Sequence, residues 1–146
     1  MSKTRSYFHI VFSTKFRIKC IAHDRKERLY QYITGTVKNK KSEMIQINGV
    51  EDHIHMLINL HPTVALADLV KAVKQSSSKR LQETHYLPLF DGWTSEYFAC
   101  SVSPSHVDAV KEYICSQEEH HSHKDFVSEV TDFVHKMGME VYQDEI

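Results

Sequence analysis

His53 and His55 stand one residue apart in the alternating stretch His53-Ile54-His55-Met56-Leu57-Ile58, and sixty residues further on Tyr113 and Gln117 stand four apart in a helix-like run. Together these residue types can build a metal-assisted tyrosine nucleophile. Side chains alternate faces along a strand, so positions 53 and 55 share one face while Ile54, Met56, Ile58 and Leu60 share the other. The strand rise sets the two imidazoles side by side, roughly 7 Å apart at the backbone. Such a pair can hold one divalent metal, and a metal with open coordination positions polarises a phosphate. Phosphoryl transfer is the chemistry that follows.

Context singles out this pair. With 11 histidines in 146 residues a His-x-His is expected by chance, and a second one occurs at His121-Ser122-His123. That second pair lies in the polar cluster His120 to Asp125 and reads as exposed loop, whereas His53 and His55 interrupt an apolar alternation. Without further matches, the bland alternative for His53 and His55 is two hydrogen-bonded histidines on a half-buried strand.

The elements that must position these groups can be read along the chain. Residues 7–13 are β-branched and aromatic and predict a first strand, followed by a basic loop over 14–23. Asp24 and Glu27 form a capping-box pattern ahead of a helix with Leu29, Ile33 and Val37 on its apolar face, ending near 39–41. Residues 43–50 alternate, and the turn at Gly49-Val50-Glu51-Asp52 leads into the histidine strand. Thr63 is placed to cap a second helix through Leu81, and residues 95–102 predict a fourth strand. Ser103-Pro104 then opens the tyrosine helix, about 104–120, on which Tyr113 and Gln117 lie within about 40° of each other. Phe126, Val130, Phe133, Val134 and Met137 predict a C-terminal helical extension, about 125–137.

The order β, α, β, β, α, β, α is that of an α+β, ferredoxin-like (RRM-like) antiparallel sheet of four to five strands covered by helices. Residues 1–146 are expected to form a single catalytic domain, long enough to bury roughly 70% of its unfolded surface. No apolar run approaches the roughly 18 residues of a membrane span, and Met1 to Arg5 lacks a secretory hydrophobic stretch, so a cytoplasmic protein without a membrane partner is expected. Cys20, Cys100 and Cys115 are odd in number and widely spaced, which predicts free thiols.

The formal net charge of -1 hides an asymmetry. Residues 1–41 carry eleven Lys or Arg against Asp24 and Glu27, about +9, and residues 105–146 carry three against ten, about -7. Lys15, Arg17, Lys19, Arg25, Lys26 and Arg28, interleaved with Phe16, Tyr30 and Tyr32, suit a nucleic-acid backbone with stacked bases. A solvated surface would read the same way, and the acidic C-terminal part could face the basic segment in a dimer.

Taken in order, several segments resemble one family: Phe8-His9-Ile10-Val11-Phe12-Ser13-Thr14-Lys15-Phe16-Arg17, Asp52-His53-Ile54-His55-Met56-Leu57, and Lys74-Gln75-Ser76-Ser77-Ser78-Lys79. Trp93, Tyr97-Phe98 and Tyr113-Ile114-x-x-Gln117-Glu118 complete the set, over about residues 6 to 121. The family is that of the single-tyrosine HUH transposases of the insertion-sequence 200/605 group and their REP-associated relatives. The resemblance implies an enzyme in which His53, His55 and Gln117 bind Mg²⁺ or Mn²⁺ and Tyr113 attacks single-stranded DNA, leaving a 5′-phosphotyrosine. A glutamine carbonyl suits a hard cation, although two imidazoles also accept Zn²⁺ or Ni²⁺. It further implies a homodimer, often with the active site assembled in trans, and recognition of DNA hairpins at element ends. Lys71, Lys74, Lys79 and Arg80, with Lys15 and Arg17, are then the expected backbone contacts. Glu96 and Ser103-Pro104 depart from the glycines of many relatives. The competing expectation is a non-catalytic or domesticated module that binds DNA or RNA hairpins. A histidine-triad nucleotide hydrolase is disfavoured, since Leu57 stands where a third histidine would be needed.

Overall fold

The histidine strand is buried on both faces, and the rest of the architecture follows from covering it. In the computed structural model the described residues are 3–117 together with 128, 129, 131, 132 and 135. Four strands, β1 (Tyr7–Ser13), β2 (Glu43–Gly49), β3 (His53–Asn59) and β4 (Phe98–Val102), form one sheet in the order β2-β3-β1-β4. Every neighbouring pair is antiparallel. Helices α1 (Lys26–Asn39) and α2 (Leu66–Thr84) cover one face, and α3 (Val107–Cys115) covers the other over β2 and β3. This is the expected α+β, ferredoxin-like fold, with four strands among the described residues.

Period-two alternation divides the side chains of β1 and β3 between two cores. Ile10, Phe12, Ile54, Met56 and Ile58 face α1 and α2, where they meet Leu29, Ile33, Val37, Leu69, Val70 and Val73. Val11 and Leu57 face the other way and pack with Phe98, Cys100, Val110 and Ile114. The register pairs His9 with Leu57, Val11 with His55 and Ser13 with His53, so all three histidines lie on the α3 side. Burying each large apolar side chain contributes about 1.5–3 kcal/mol.

Several local expectations are corrected. The Asp24/Glu27 box does not form: α1 starts at Lys26 after the uncapped Arg25, whose amide bonds back to Ala22 O at 3.0 Å. Thr63 does not cap α2, which begins at Leu66 behind Ala65; the Thr63 hydroxyl meets His61 Nδ1 at 2.7 Å instead. The fourth strand begins at Phe98 and not at Ser95, because the Thr94 and Glu96 carbonyls turn to accept from Lys74 Nζ, each at 2.8 Å. Pro104 does open a helical turn, a short 3-10 segment (Pro104–His106) ahead of α3. Ser103 makes no capping bond, its hydroxyl meeting His106 Nδ1 at 2.6 Å. Gln117 is helical again after a turn at Ser116, and the expected continuation to 120 lies outside the described residues. Ser128, Glu129, Thr131, Asp132 and His135 are helical, as the extension requires, whereas Phe126, Val130, Phe133, Val134, Met137 and residues 120–125 lie outside the described residues. All three cysteines are free, and no helix among the described residues is long and apolar enough to cross a membrane.

The turn into β3 is held by backbone proximity. Val50 N donates to His53 O at 3.1 Å, and a Cβ on Gly49 would lie 2.3 Å from that same oxygen and 3.0 Å from Ile54 Cα. Gly35, inside α1, has nothing within 4 Å of the corresponding position. Gly49→Ala is therefore expected to destabilise the chain by about 1–3 kcal/mol through overpacking, and Gly35→Ala to stabilise it by up to about 1 kcal/mol through helix propensity. Urea midpoints at unchanged m-value check both, and a neutral Gly49→Ala would contradict the close approach to His53.

Candidate active site

Each of the paired histidines is held by a neighbour at one ring nitrogen. His53 and His55 are both 0% exposed, with ring centroids 5.1 Å apart. His53 Nδ1 lies 2.8 Å from Asp52 Oδ1, and His55 Nδ1 lies 3.0 Å from His9 Nε2. If the Nδ1 positions carry the protons, as donors to Asp52 and His9, both Nε2 atoms keep a lone pair suited to a metal. His9 stacks on His55 with centroids 5.2 Å apart. Complete burial pushes the His9 imidazolium down to about 3, so at neutral pH the ring is uncharged and able to accept from His55.

Helix α3 delivers the phenol. The Tyr113 ring meets His55 edge-on at 5.7 Å and His9 at 6.1 Å between centroids. The end of α3 is tied to the sheet by Asn48, whose Nδ2 donates to Ile114 O at 3.0 Å and Cys115 O at 3.2 Å. Those carbonyls belong to the last turn, which has no helical partners of its own. Asn48 also pairs with His55 in the β2–β3 register, so the same residue sits beside the histidine and the tyrosine helix.

The structure brings Gln117 to the same place and adds Glu129. Gln117 is 0% exposed; its Nε2 points back to Tyr113 O at 3.5 Å, and its buried Oε1 accepts no hydrogen bond among the described residues. An amide oxygen left so costs about 1–3 kcal/mol, a deficit that a cation would remove. Glu129, 3% exposed, accepts the Tyr113 hydroxyl hydrogen bond through Oε1, which lies 3.9 Å from His55 Nε2. Donor atoms of His53, His55 and Glu129 all lie within 4.8 Å of one another. Two imidazoles, a carboxylate and an amide oxygen are a donor set that fits a divalent cation.

The phenol is held firmly protonated. Burial raises the Tyr113 pKa well above the ordinary tyrosine value; the charge and hydrogen bond of Glu129 raise it further, as does the charge of Asp132, while the Gln117 side chain opposes them.

Of the residues expected from the sequence, the structure brings His53, His55, Tyr113 and Gln117 together, and beside them it places His9, Asp52 and Glu129. His9 shares a strand face with Val11 by alternation, but the register that sets Val11 opposite His55 is tertiary and leaves no trace in the sequence. Asp52 adjoins His53 in the sequence, but a loop carboxylate has no signature of its own. Glu129 had no signal, being one of ten carboxylates in the acidic C-terminal part.

The expected cationic residues separate into two groups. Lys15, Lys74 and Lys79 line an open groove of about 770 Å³ with Phe16, Ser78 and Trp93. Lys74 is half-buried in its wall, bonded to the Thr94 and Glu96 carbonyls, and desolvation lowers its pKa. Arg17 does not line the groove and is in left-handed backbone, Arg80 lies over the Tyr32 ring at 4.7 Å, and Lys71 is exposed elsewhere on α2.

Comparison with known proteins identifies the family. Residues 2–117 match the family model described as Transposase IS200 like. The ISDra2 transposase TnpA of Deinococcus radiodurans is 26% identical over 129 residues, spanning 82% of this chain and 92% of that protein. A crystal structure of a protein assigned as a transposase from Deinococcus radiodurans R1 superposes with a TM-score of 0.62 at 24% identity, covering 80% of this chain and 98% of that one. A REP-associated tyrosine transposase bound to a REP hairpin shares the fold, with a TM-score of 0.62 at 14% identity over 83% of this chain and 74% of that one. The chain belongs to the family of IS200-like transposases.

Proposed function

We propose that this chain, as a single catalytic domain, cleaves and rejoins single-stranded DNA with Tyr113 as nucleophile. The observation that carries the proposal is the Tyr113 hydroxyl bonded to the Glu129 carboxylate beside His55, with His53 on the same buried face. Tyr113 Oη forms a bond to phosphorus while the bond from phosphorus to the 3′ oxygen breaks. Glu129 is placed to take the phenolic proton, and the departing 3′ oxygen receives a proton in exchange, directly from the Glu129 carboxyl or through water, to end as a hydroxyl. The phosphodiester energy is retained in the 5′-phosphotyrosine, so a second 3′-hydroxyl can reverse the step and join strands.

His53, His55, Gln117 and Glu129 are the residues that would hold Mg²⁺ or Mn²⁺. When bound, such a cation supplies positive charge for the phosphoryl oxygens and offsets the Glu129 charge that holds the phenol proton. Asp52 and His9 keep the two imidazoles oriented with their donor nitrogens inward. A neighbour of the same fold binds a REP hairpin, which supports hairpin DNA as the partner here. A homodimer, with Tyr113 serving its own or the partner's histidines, completes the proposal.

Two experiments test it. With Mn²⁺ or Mg²⁺ and single-stranded oligonucleotides tiled across the flanks of the gene, the chain should form a covalent adduct on Tyr113, abolished by EDTA and by Tyr113→Phe. Hairpin-specific binding with no adduct under any divalent metal would instead favour a non-catalytic binding module. Asp52→Ala should weaken Mn²⁺ affinity about 10- to 100-fold, read by calorimetry, while leaving the urea midpoint nearly unchanged; unaltered affinity would remove Asp52 from the site.

A further inference from the structure

Phe16 is out of place by ordinary packing rules. Its ring is 79% exposed, the most exposed large hydrophobic side chain among the described residues. Its backbone, at φ 58° and ψ 17°, is left-handed, and Arg17 follows at φ 53°. Bulky residues avoid that region, and two in succession persist only where surrounding bonds impose them. Here they do: Thr14 N donates to Asp52 O at 2.8 Å, Lys15 N to Gly92 O at 2.8 Å, Arg17 N to Thr14 O at 2.9 Å and Thr94 N to Ser13 O at 3.0 Å. The strained turn therefore holds an aromatic ring out of the fold, with Lys15 Nζ 5.5 Å from its centroid.

What lies beside the ring identifies the ligand. Phe16 stands at the groove of about 770 Å³ whose walls carry Lys15, Lys79, Ser78 and Trp93. An exposed ring flanked by ammonium groups and hydroxyls matches a single strand of nucleic acid, with a base on the ring and phosphates on the cations. The groove is also tied to the candidate active site. Ser13 pairs with His53, and the Thr14 amide donates to the carbonyl of Asp52, whose carboxylate holds His53, while the Thr14 hydroxyl donates to Ile18 O at 2.8 Å.

We propose that Phe16 is a stacking platform for one base of single-stranded DNA, and that the groove beside it carries the backbone of the same strand. The inference rests on the reading of the chain as a single-stranded DNA transposase. Strain at residues 16 and 17 is then the means by which the fold keeps the platform exposed.

Trp93 is the chain's single tryptophan and lines this groove, so its emission reports occupancy directly. In a Tyr113→Phe background, which removes covalent trapping, a mixed-sequence 20-nucleotide single strand should change Trp93 emission in a saturable, salt-sensitive titration. Phe16→Ala should weaken binding by about 5- to 150-fold, and Phe16→Tyr should restore it. Phe16→Gly should lose affinity equally while raising the urea midpoint, because glycine adopts the left-handed turn without strain. Unchanged affinity in Phe16→Ala, with intact binding by the parent, would overturn the platform and leave the proposed function standing. No binding by the parent chain would likewise overturn the platform, while the proposed function stands or falls on the Tyr113 adduct.

Discussion

The position of the tyrosine depends on one side-chain amide. Asn48 donates to the last carbonyls of α3 from the register position opposite His55, so a single residue ties the helix bearing Tyr113 to the strand bearing the imidazoles. Lys26 Nζ, 3.3 Å from Asn48 Oδ1, extends the tie to the start of α1. α3 is short and rests mainly on Val110 and Ile114 for its apolar contact, which makes a directional bond at its end more consequential than it would be on a long, deeply packed helix.

The second constraint is the burial of polar groups. His9, His53, His55, Gln117 and Glu129 are all enclosed on the α3 side of the sheet, where an apolar set would pack at lower cost. Their mutual bonds recover part of that cost, and the buried Gln117 oxygen has no hydrogen-bond partner among the described residues. Such an arrangement is expected where a fold trades stability for chemistry. The strained pair Phe16-Arg17, at the end of β1 beyond the register partner of His53, belongs to the same pattern, and Thr14 links the two regions through Asp52.

Much of this was legible in the sequence because it depends on periodicity. β1 was read at the boundaries it has, the face shared by His53 and His55 follows from alternation alone, and the element order implied the sheet order. Helix starts were not legible. Asp24, Thr63 and Ser103 all have the chemistry of caps, but Arg25 enters α1 through a backbone turn, and the Thr63 and Ser103 hydroxyls meet histidines nearby. The start of β4 was misplaced because Lys74 draws the Thr94 and Glu96 carbonyls away from the sheet, a tertiary bond with no local trace. Glu129 was missed for the same kind of reason: its partner is Tyr113, sixteen positions away, and nothing in its own neighbourhood marks it.

The central claim is that His53, His55, Gln117 and Glu129 form one cation site next to Tyr113. Anomalous diffraction from crystals of the chain grown with Mn²⁺ tests it directly. The account predicts a single strong peak within coordination distance of both histidines, with Gln117 Oε1 and a Glu129 oxygen turned toward it and Tyr113 alongside. A peak at other residues, or full Mn²⁺ loading that leaves His53 and His55 without the ion, would contradict it.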